Sequence, residues 1–214
     1  MKKLVLYSDQ VPTLSDTIDK ELLSLFDKPY PMIGFIPATA DHERRYYKDR
    51  QEYYSRIGIE LSVYYGLEED YDSESLSALL SCDAIHLSGG NTYYFLHWLR
   101  KRNMIDTLVR YVAQGGVLIG VSAGSILMTP DISTSAICGD EILEGMNDFT
   151  GLQLVNFSFL PHYDSISVDL DILRKYSSDH HTIIYACKDS DGIIVNDDMI
   201  TCISDVTVID NRTT

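Results

Sequence analysis

Basic residues are scarce in this chain. Seventeen lysines and arginines stand against 32 aspartates and glutamates, a formal charge of −15 over 214 residues. That deficit argues against a non-specific nucleic-acid binder, which gains most of its affinity by neutralising phosphates. It equally disfavours adsorption to an anionic membrane surface. Cysteine is sparse too. Cys82, Cys138, Cys187 and Cys202 lie far apart with no CxxC pair, which argues against a zinc knuckle or a redox dithiol. Cys82, Cys187 and Cys202 sit in or beside apolar runs, where a cysteine is expected to be a small buried hydrophobe. No apolar run reaches the roughly 20 residues of a membrane span, and the stretch after Met1-Lys2-Lys3 ends at Tyr7, short of a signal peptide. The expectation is a protein of the reduced cytoplasm. Neither GxxxxGK[ST] nor GxGxxG occurs, so no nucleotide cofactor is expected. Asp41-His42-Glu43 and His180-His181 lack a set of further ligands, so no metal is expected either.

What the chain does contain is an alternation of short apolar strands with longer helical stretches. Leu4–Tyr7, Met32–Ile36, Ile59–Tyr64, Ala84–Leu87 and Val117–Val121 read as strands. Helical patterns stand between them: Ile18, Leu22, Leu25 and Phe26 make one stripe, and others follow over 41–56, around Leu76–Leu80, over 92–100 and over 105–113. Uniformly apolar strands in this order predict an α/β fold: three layers, a mostly parallel sheet with helices on both faces. The last third changes character. Leu154–Phe157 and Ile183–Ala186 read as strands, with a helix of Leu170, Leu173 and Tyr176 between them. Gly192–Val195, Met199–Ile203 and Val206–Ile209, separated by short polar turns, read as antiparallel hairpins. Nothing marks a linker, so residues 1–214 read as one domain, and Asn211–Thr214 as a frayed tail.

Two turns carry the chemistry. Gly120-Val121-Ser122-Ala123-Gly124 follows strand residues and precedes Ser125-Ile126-Leu127-Met128, which suit a first helical turn. This is the context of a nucleophile elbow, in which small flanking residues let strand and helix approach while the serine projects at a strained apex. Ser88-Gly89-Gly90-Asn91-Thr92 is a second strand–turn–helix junction and emerges at the same carboxyl edge of a parallel sheet. Its glycines leave backbone N–H groups free, so Gly90 and Ala123 are the candidate oxyanion donors, with Asn91 or Thr92 capping the helix.

A serine nucleophile needs a base, and His162 in Leu160-Pro161-His162-Tyr163 is the candidate, held after a strand and a proline. His86 alternates within an apolar strand and reads as a core residue. Spacing does not choose the third member among Asp131, Asp140, Glu141, Glu144 and Asp148, with Asp164 just beyond His162. Asp140, following Gly139 in a polar loop, is taken as the acid. The aromatic stripe Tyr93, Tyr94, Phe95, Trp98 reads as helix packing. The pairs Tyr46-Tyr47 and Tyr53-Tyr54 fit a substrate cleft, surface packing or a homo-oligomer contact equally well.

Taken together, Phe35-Ile36-Pro37, Leu87–Thr92, Gly120–Gly124 and Pro161-His162-Tyr163 resemble the peptidase E family, serine peptidases related to cyanophycinase. The resemblance spans roughly residues 1 to 196. It implies a fold similar to class I glutamine amidotransferases, Ser122 as nucleophile, His162 as base, and Gly90 and Ala123 as oxyanion donors. It departs at two places. The family's acid falls in the stretch matching Pro130–Ile137, where Ile137 stands at the corresponding position. The family's basic residue after the histidine, which receives the substrate's aspartate side chain, has no match in Ser165–Asp171; Arg174 and Lys175 come later. The expected function is hydrolysis of a small peptide or related amide through an acyl-enzyme, dipeptidase-like. An esterase, amidase or isopeptidase would use the same site, and a catalytically impaired binding or sensor protein is the rival from another class.

Overall fold

A computed structural model describes residues 1–212. The strands are β1 (Lys3–Tyr7), β2 (Met32–Ile36), β3 (Glu60–Tyr64), β4 (Ala84–Leu87), β5 (Val117–Val121), β6 (Ser158–Leu160), β7 (Ile184–Ala186), β8 (Gly192–Asn196), β9 (Met199–Ile203) and β10 (Thr207–Ile209). The helices are α1 (Asp16–Ser24), α2 (Arg45–Arg56), α3 (Ser73–Ser81), α4 (Thr92–Lys101), α5 (Met104–Ala113), α6 (Ala123–Ile126), α7 (Thr134–Ile137) and α8 (Leu170–Asp179).

Seven strands form one sheet in the order β3-β2-β4-β5-β1-β8-β9, parallel from β3 to β1 and antiparallel at β8 and β9. Successive residues of the central strands feed opposite cores, as a strand's two-residue period requires. Leu4, Leu6, Ile85, Leu87 and Leu118 join one with Phe95, Leu96, Leu99, Leu108 and Ile126. Val5, Tyr7, Val117, Ile119 and Val121 join the other with Ile18, Leu22, Tyr53 and Tyr54. The helices therefore cover both faces, as the apolar strands predict. Between α1 and α2, the Tyr7 and Tyr53 hydroxyls donate to the buried Asp19 carboxyl at 2.7 and 2.8 Å.

The C-terminal third departs from the expected run of hairpins. β8 and β9 do form one, at the sheet edge. β10 instead leaves it and pairs antiparallel with β7, which runs parallel to β6, giving a second sheet of order β10-β7-β6. Ile184, Ala186, Leu160 and Ile209 can then share a small core with Leu173 of α8. A third strand stacked on the edge of β9 would leave that apolar face uncovered. The strand expected over Leu154–Phe157 begins instead at Ser158. Cys82 and Cys187 are buried as expected, but Cys202 is exposed, because β9 is an edge strand with most of its length facing out. Of the expected frayed tail, Asn211 N–H donates to Ser177 Oγ at 2.8 Å and Arg212 pairs with Asp210; Thr213 and Thr214 lie outside the described residues. Among the described residues no helix is long and apolar enough to cross a membrane.

The register aligns the carboxyl ends of four strands. Tyr7 is level with Val121, Leu87 with Gly120, and Ile36 with Leu87. After β1 the chain turns to the face of α1, and after β5 to the face of α6, so the connections diverge and leave a crevice at that edge.

Candidate active site

Ser122 terminates β5 with φ 51° and ψ −109°, a conformation that non-glycine residues rarely adopt. The crowding around it explains the flanking glycines. A Cβ on Gly120 would come within 2.5 Å of the Gly124 backbone, and one on Gly124 would overlap the carbonyl oxygen of Leu87. The apex itself is tied down: Ser122 N–H donates to Tyr7 O at 3.1 Å, and Ser125 Oγ donates to the same oxygen at 2.8 Å.

Ser122 Oγ lies 2.9 Å from His162 Nε2. His162 also has a positive φ, 58°, and is anchored by its own N–H, which donates to Ser8 Oγ at 2.8 Å. Ser8 Oγ in turn donates to Cys187 O at 3.1 Å, and Tyr163 N–H donates to that same carbonyl at 2.9 Å. The end of β1 thereby joins the histidine loop to the segment that follows β7. That segment brings a carboxylate to the imidazole: Asp189 Oδ1 lies 2.6 Å from His162 Nδ1. Its turn is closed by the buried Asp191, which accepts from Lys188 N–H at 3.0 Å while Asp191 N–H donates to Lys188 O at 2.8 Å.

Asp140, the acid expected from sequence, stands elsewhere. Its Oδ2 accepts from Thr92 N–H at 2.8 Å, a first-turn donor of α4, while Asn91 Oδ1 caps the same helix through Tyr94 N–H at 2.8 Å. The loop after Gly139 lies across the start of α4, where Glu141 O also accepts from Asn91 Nδ2. Its carboxylate is thus engaged there and not at His162. Asp189 lies beyond the histidine and beyond Asp164, and its one signal in the sequence is a carboxylate in a tight turn directly after an apolar strand.

Around this constellation is a cavity of about 410 Å³, whose wall includes Pro37, Ala38, Ser88, Gly90, Ser122 and His162. Gly90 has φ 146°, and a Cβ there would press on Ala38 Cβ. One face of α2 completes the wall with Tyr46, Asp49 and Arg50, at the three- and four-residue spacing of helical neighbours. His86 of β4 also reaches it, nearly fully buried, and burial together with the Arg50 charge pushes its pKa down to about 3. His86 is thus the core residue its strand predicts, and it also borders the cavity. Tyr53 and Tyr54, whose pairing fits a cleft, surface packing or an oligomer contact in sequence, are buried in the core, whereas the exposed Tyr46 borders the cavity. Tyr93 and Phe95 are packed into the core, as their spacing predicts.

A family model described as Peptidase family S51 matches residues 5–203, nearly the whole chain. The chain belongs to peptidase family S51. Membership places it among the peptidases. An uncharacterized peptidase from Listeria innocua is 25% identical over 177 residues, 78% of this chain and 82% of that protein. A Nostoc sp. protein named peptidase E is 29% identical over 146 residues, 67% of this chain but only 57% of its own length. In fold, the chain is similar to a peptidase E-type protein of Listeria monocytogenes EGD-e seen by crystallography, with TM-score 0.76 and 22% identity over 95% of this chain and 98% of that one.

Against this S51 background the two departures seen in sequence acquire a structure. Ile137 ends α7 and packs on the small core. Arg174 pairs with Asp171 and Lys175 with Asp179 along the exposed side of α8. The basic side chain in the cavity is Arg50, from a helix far earlier in the chain.

Proposed function

We propose that this S51 member is a serine hydrolase that cleaves a small peptide or related amide through an acyl-enzyme. The observation that carries the reading is the continuous chain Ser122 Oγ–His162–Asp189, with contacts of 2.9 and 2.6 Å, opening onto a cavity. His162 Nε2 takes the Ser122 proton as Oγ attacks the carbonyl carbon, then delivers it to the leaving nitrogen. Asp189 holds the imidazole by Nδ1–H and stabilises the imidazolium that forms. The backbone N–H groups of Gly90 and Ala123, neither engaged by a backbone carbonyl among the described residues, face the developing oxyanion. Water activated by His162 then releases the acyl group. The name of the Nostoc relative, peptidase E, agrees with a peptide substrate. With Ile137 in the place of the family's acid, Asp189 supplies an orienting carboxylate, so hydrolysis is better supported than a catalytically impaired sensor.

The test is covalent. A serine-directed fluorophosphonate is expected to add once, at Ser122, with labelling abolished in Ser122→Ala and strongly slowed in His162→Ala. A dipeptide panel then follows turnover. Full peptide turnover by Ser122→Ala would sink the mechanism.

A further inference from the structure

Ser8 follows β1 directly and is fully buried. Its N–H donates to Asp191 O at 3.1 Å, and its Oγ accepts from His162 N–H at 2.8 Å. A hydroxyl has one proton, and with an N–H already pointing at the oxygen that proton goes to Cys187 O, 3.1 Å away. Cys187 and Asp191 stand two residues to either side of Asp189. One small residue therefore grips the Asp189 turn at both ends and holds the His162 backbone with the same oxygen. Tyr7, just before it, serves the nucleophile: its carbonyl accepts from Ser122 N–H and from Ser125 Oγ. The Tyr7-Ser8 dipeptide is thus bonded to the backbone of all three segments that bear Ser122, His162 and Asp189.

Other contacts brace these segments less directly. Tyr163 N–H reaches Cys187 O at 2.9 Å, which secures only the near side of the turn. Asp189 N–H donates to Asp164 Oδ1 at a long 3.3 Å, and Lys188 Nζ pairs with Asp205 at 2.8 Å, both at the surface. Solvent screens such an exposed pair, so it holds the turn weakly. His162 itself has φ 58°, a left-handed conformation that persists only where the surroundings hold it, and its N–H is held by Ser8.

We propose that Ser8 is a positioning residue: its hydroxyl and amide hold the His162 backbone and the Asp189 turn in one register, and so set the imidazole between the carboxylate and Ser122. Ser8 touches no reacting atom and does not line the cavity. The consequence for turnover rests on the hydrolase reading, whereas the consequence for the His162–Asp189 contact does not. Removing the hydroxyl leaves the His162 N–H buried without its acceptor, and the histidine loop must shift to find another. A displacement of about 1 Å at a catalytic group costs about 100-fold in rate.

The experiment compares full-length Ser8→Ala with Ser177→Ala, a matched lesion outside the site. Ser177 is equally buried, and its Oγ likewise donates to a carbonyl, Thr182 O at 2.7 Å, and accepts a backbone N–H, that of Asn211, at 2.8 Å. Both variants are expected to lower Tm by similar amounts. Only Ser8→Ala is expected to lower kcat, by about 100-fold with KM within about twofold, on the peptide that the wild type turns over best. Fluorophosphonate labelling of Ser122 is expected to slow with it. Nitrogen-15 spectra read the contact without turnover: neutral His162 is expected as the Nδ1–H tautomer in the wild type and in Ser177→Ala, and as a mixture in Ser8→Ala. Ser8→Cys, a weaker donor and acceptor at the same position, is the milder lesion and is expected to fall between, which guards against an alanine variant too unstable to assay. Equal loss of turnover in the two alanine variants, a Ser8→Ala protein that keeps the single tautomer, or a wild type that already mixes them overturns the proposal. Mixed tautomers in Ser8→Ala beside a wild type that cleaves no peptide would support the role of Ser8 and reject the hydrolase reading. Full turnover by Ser8→Ala would do the opposite.

Discussion

His162 Nδ1 and Asp189 Oδ1 stand 2.6 Å apart although 27 residues separate them in the chain. Asp189→Asn keeps the size of the side chain but presents the wrong groups to the imidazole. Turnover is expected to fall by about 10⁴ with the fold intact. Asp140→Ala is the informative contrast. It removes an acceptor from the first turn of α4, so it is expected to cost about 1 kcal/mol of stability and leave turnover near normal. Steady-state kinetics beside thermal unfolding of the two variants separates these roles. Loss of turnover in Asp140→Ala with Asp189→Asn unaffected would reverse the assignment.

Gly124→Ala tests the elbow through stability. The added methyl meets the Leu87 backbone and not a flexible side-chain end, so strand and helix must move apart. A loss of about 2 kcal/mol or more is expected by denaturant titration. Gly139→Ala controls for the glycine itself: its φ is 92°, but nothing crowds its Cβ position, so only the smaller backbone penalty should appear.

His86 makes stability depend on pH in a defined window. Its folded pKa, about 3, is below the ordinary 6.5, so the unfolded chain binds the proton more tightly. Its contribution is therefore complete above the unfolded value and is lost as pH falls from 6.5 toward 3. Between about pH 7 and 4.5 this one group is expected to remove about 2–3 kcal/mol of unfolding free energy. Urea titrations at the two values measure the difference, and His86→Phe should flatten it. An unchanged slope in that variant would refute the assignment.

Thiol labelling checks the arrangement of the edge strand. Cys202 is exposed while Cys82 and Cys187 are buried, so a disulfide reagent should modify Cys202 first in the native protein and reach the buried pair only on unfolding. Equal rates at all sites would contradict the burial of Cys82 and Cys187.

Ser122 and His162 were legible in the sequence because their signals are local. A glycine on each side of a serine after a strand describes a turn almost completely, and a proline before a histidine fixes its entry. Asp189 was not, because its position depends on β8 returning to pair with β1 and carrying the preceding turn back over His162. Nothing within a few residues of Asp189 encodes that return. Asp140 misled for the complementary reason: its loop has the composition of an active-site loop, but its carboxylate completes a helix start. The same limit applies to β10, whose period marks it as a strand without saying which sheet receives it. Arg50 likewise reads as one charge among many on a polar helix until the sheet order sets that helix beside Ser122.

The glycines of the elbow have a consequence for how such an enzyme can diversify. Where backbone touches backbone, as Gly124 does with Leu87, almost no substitution is neutral, and the reacting geometry is insulated from drift. Tyr46, Asp49 and Arg50 meet the same cavity from one face of a surface helix that contributes nothing to that contact. A change of diet can therefore be written in α2 alone, leaving the chemistry untouched.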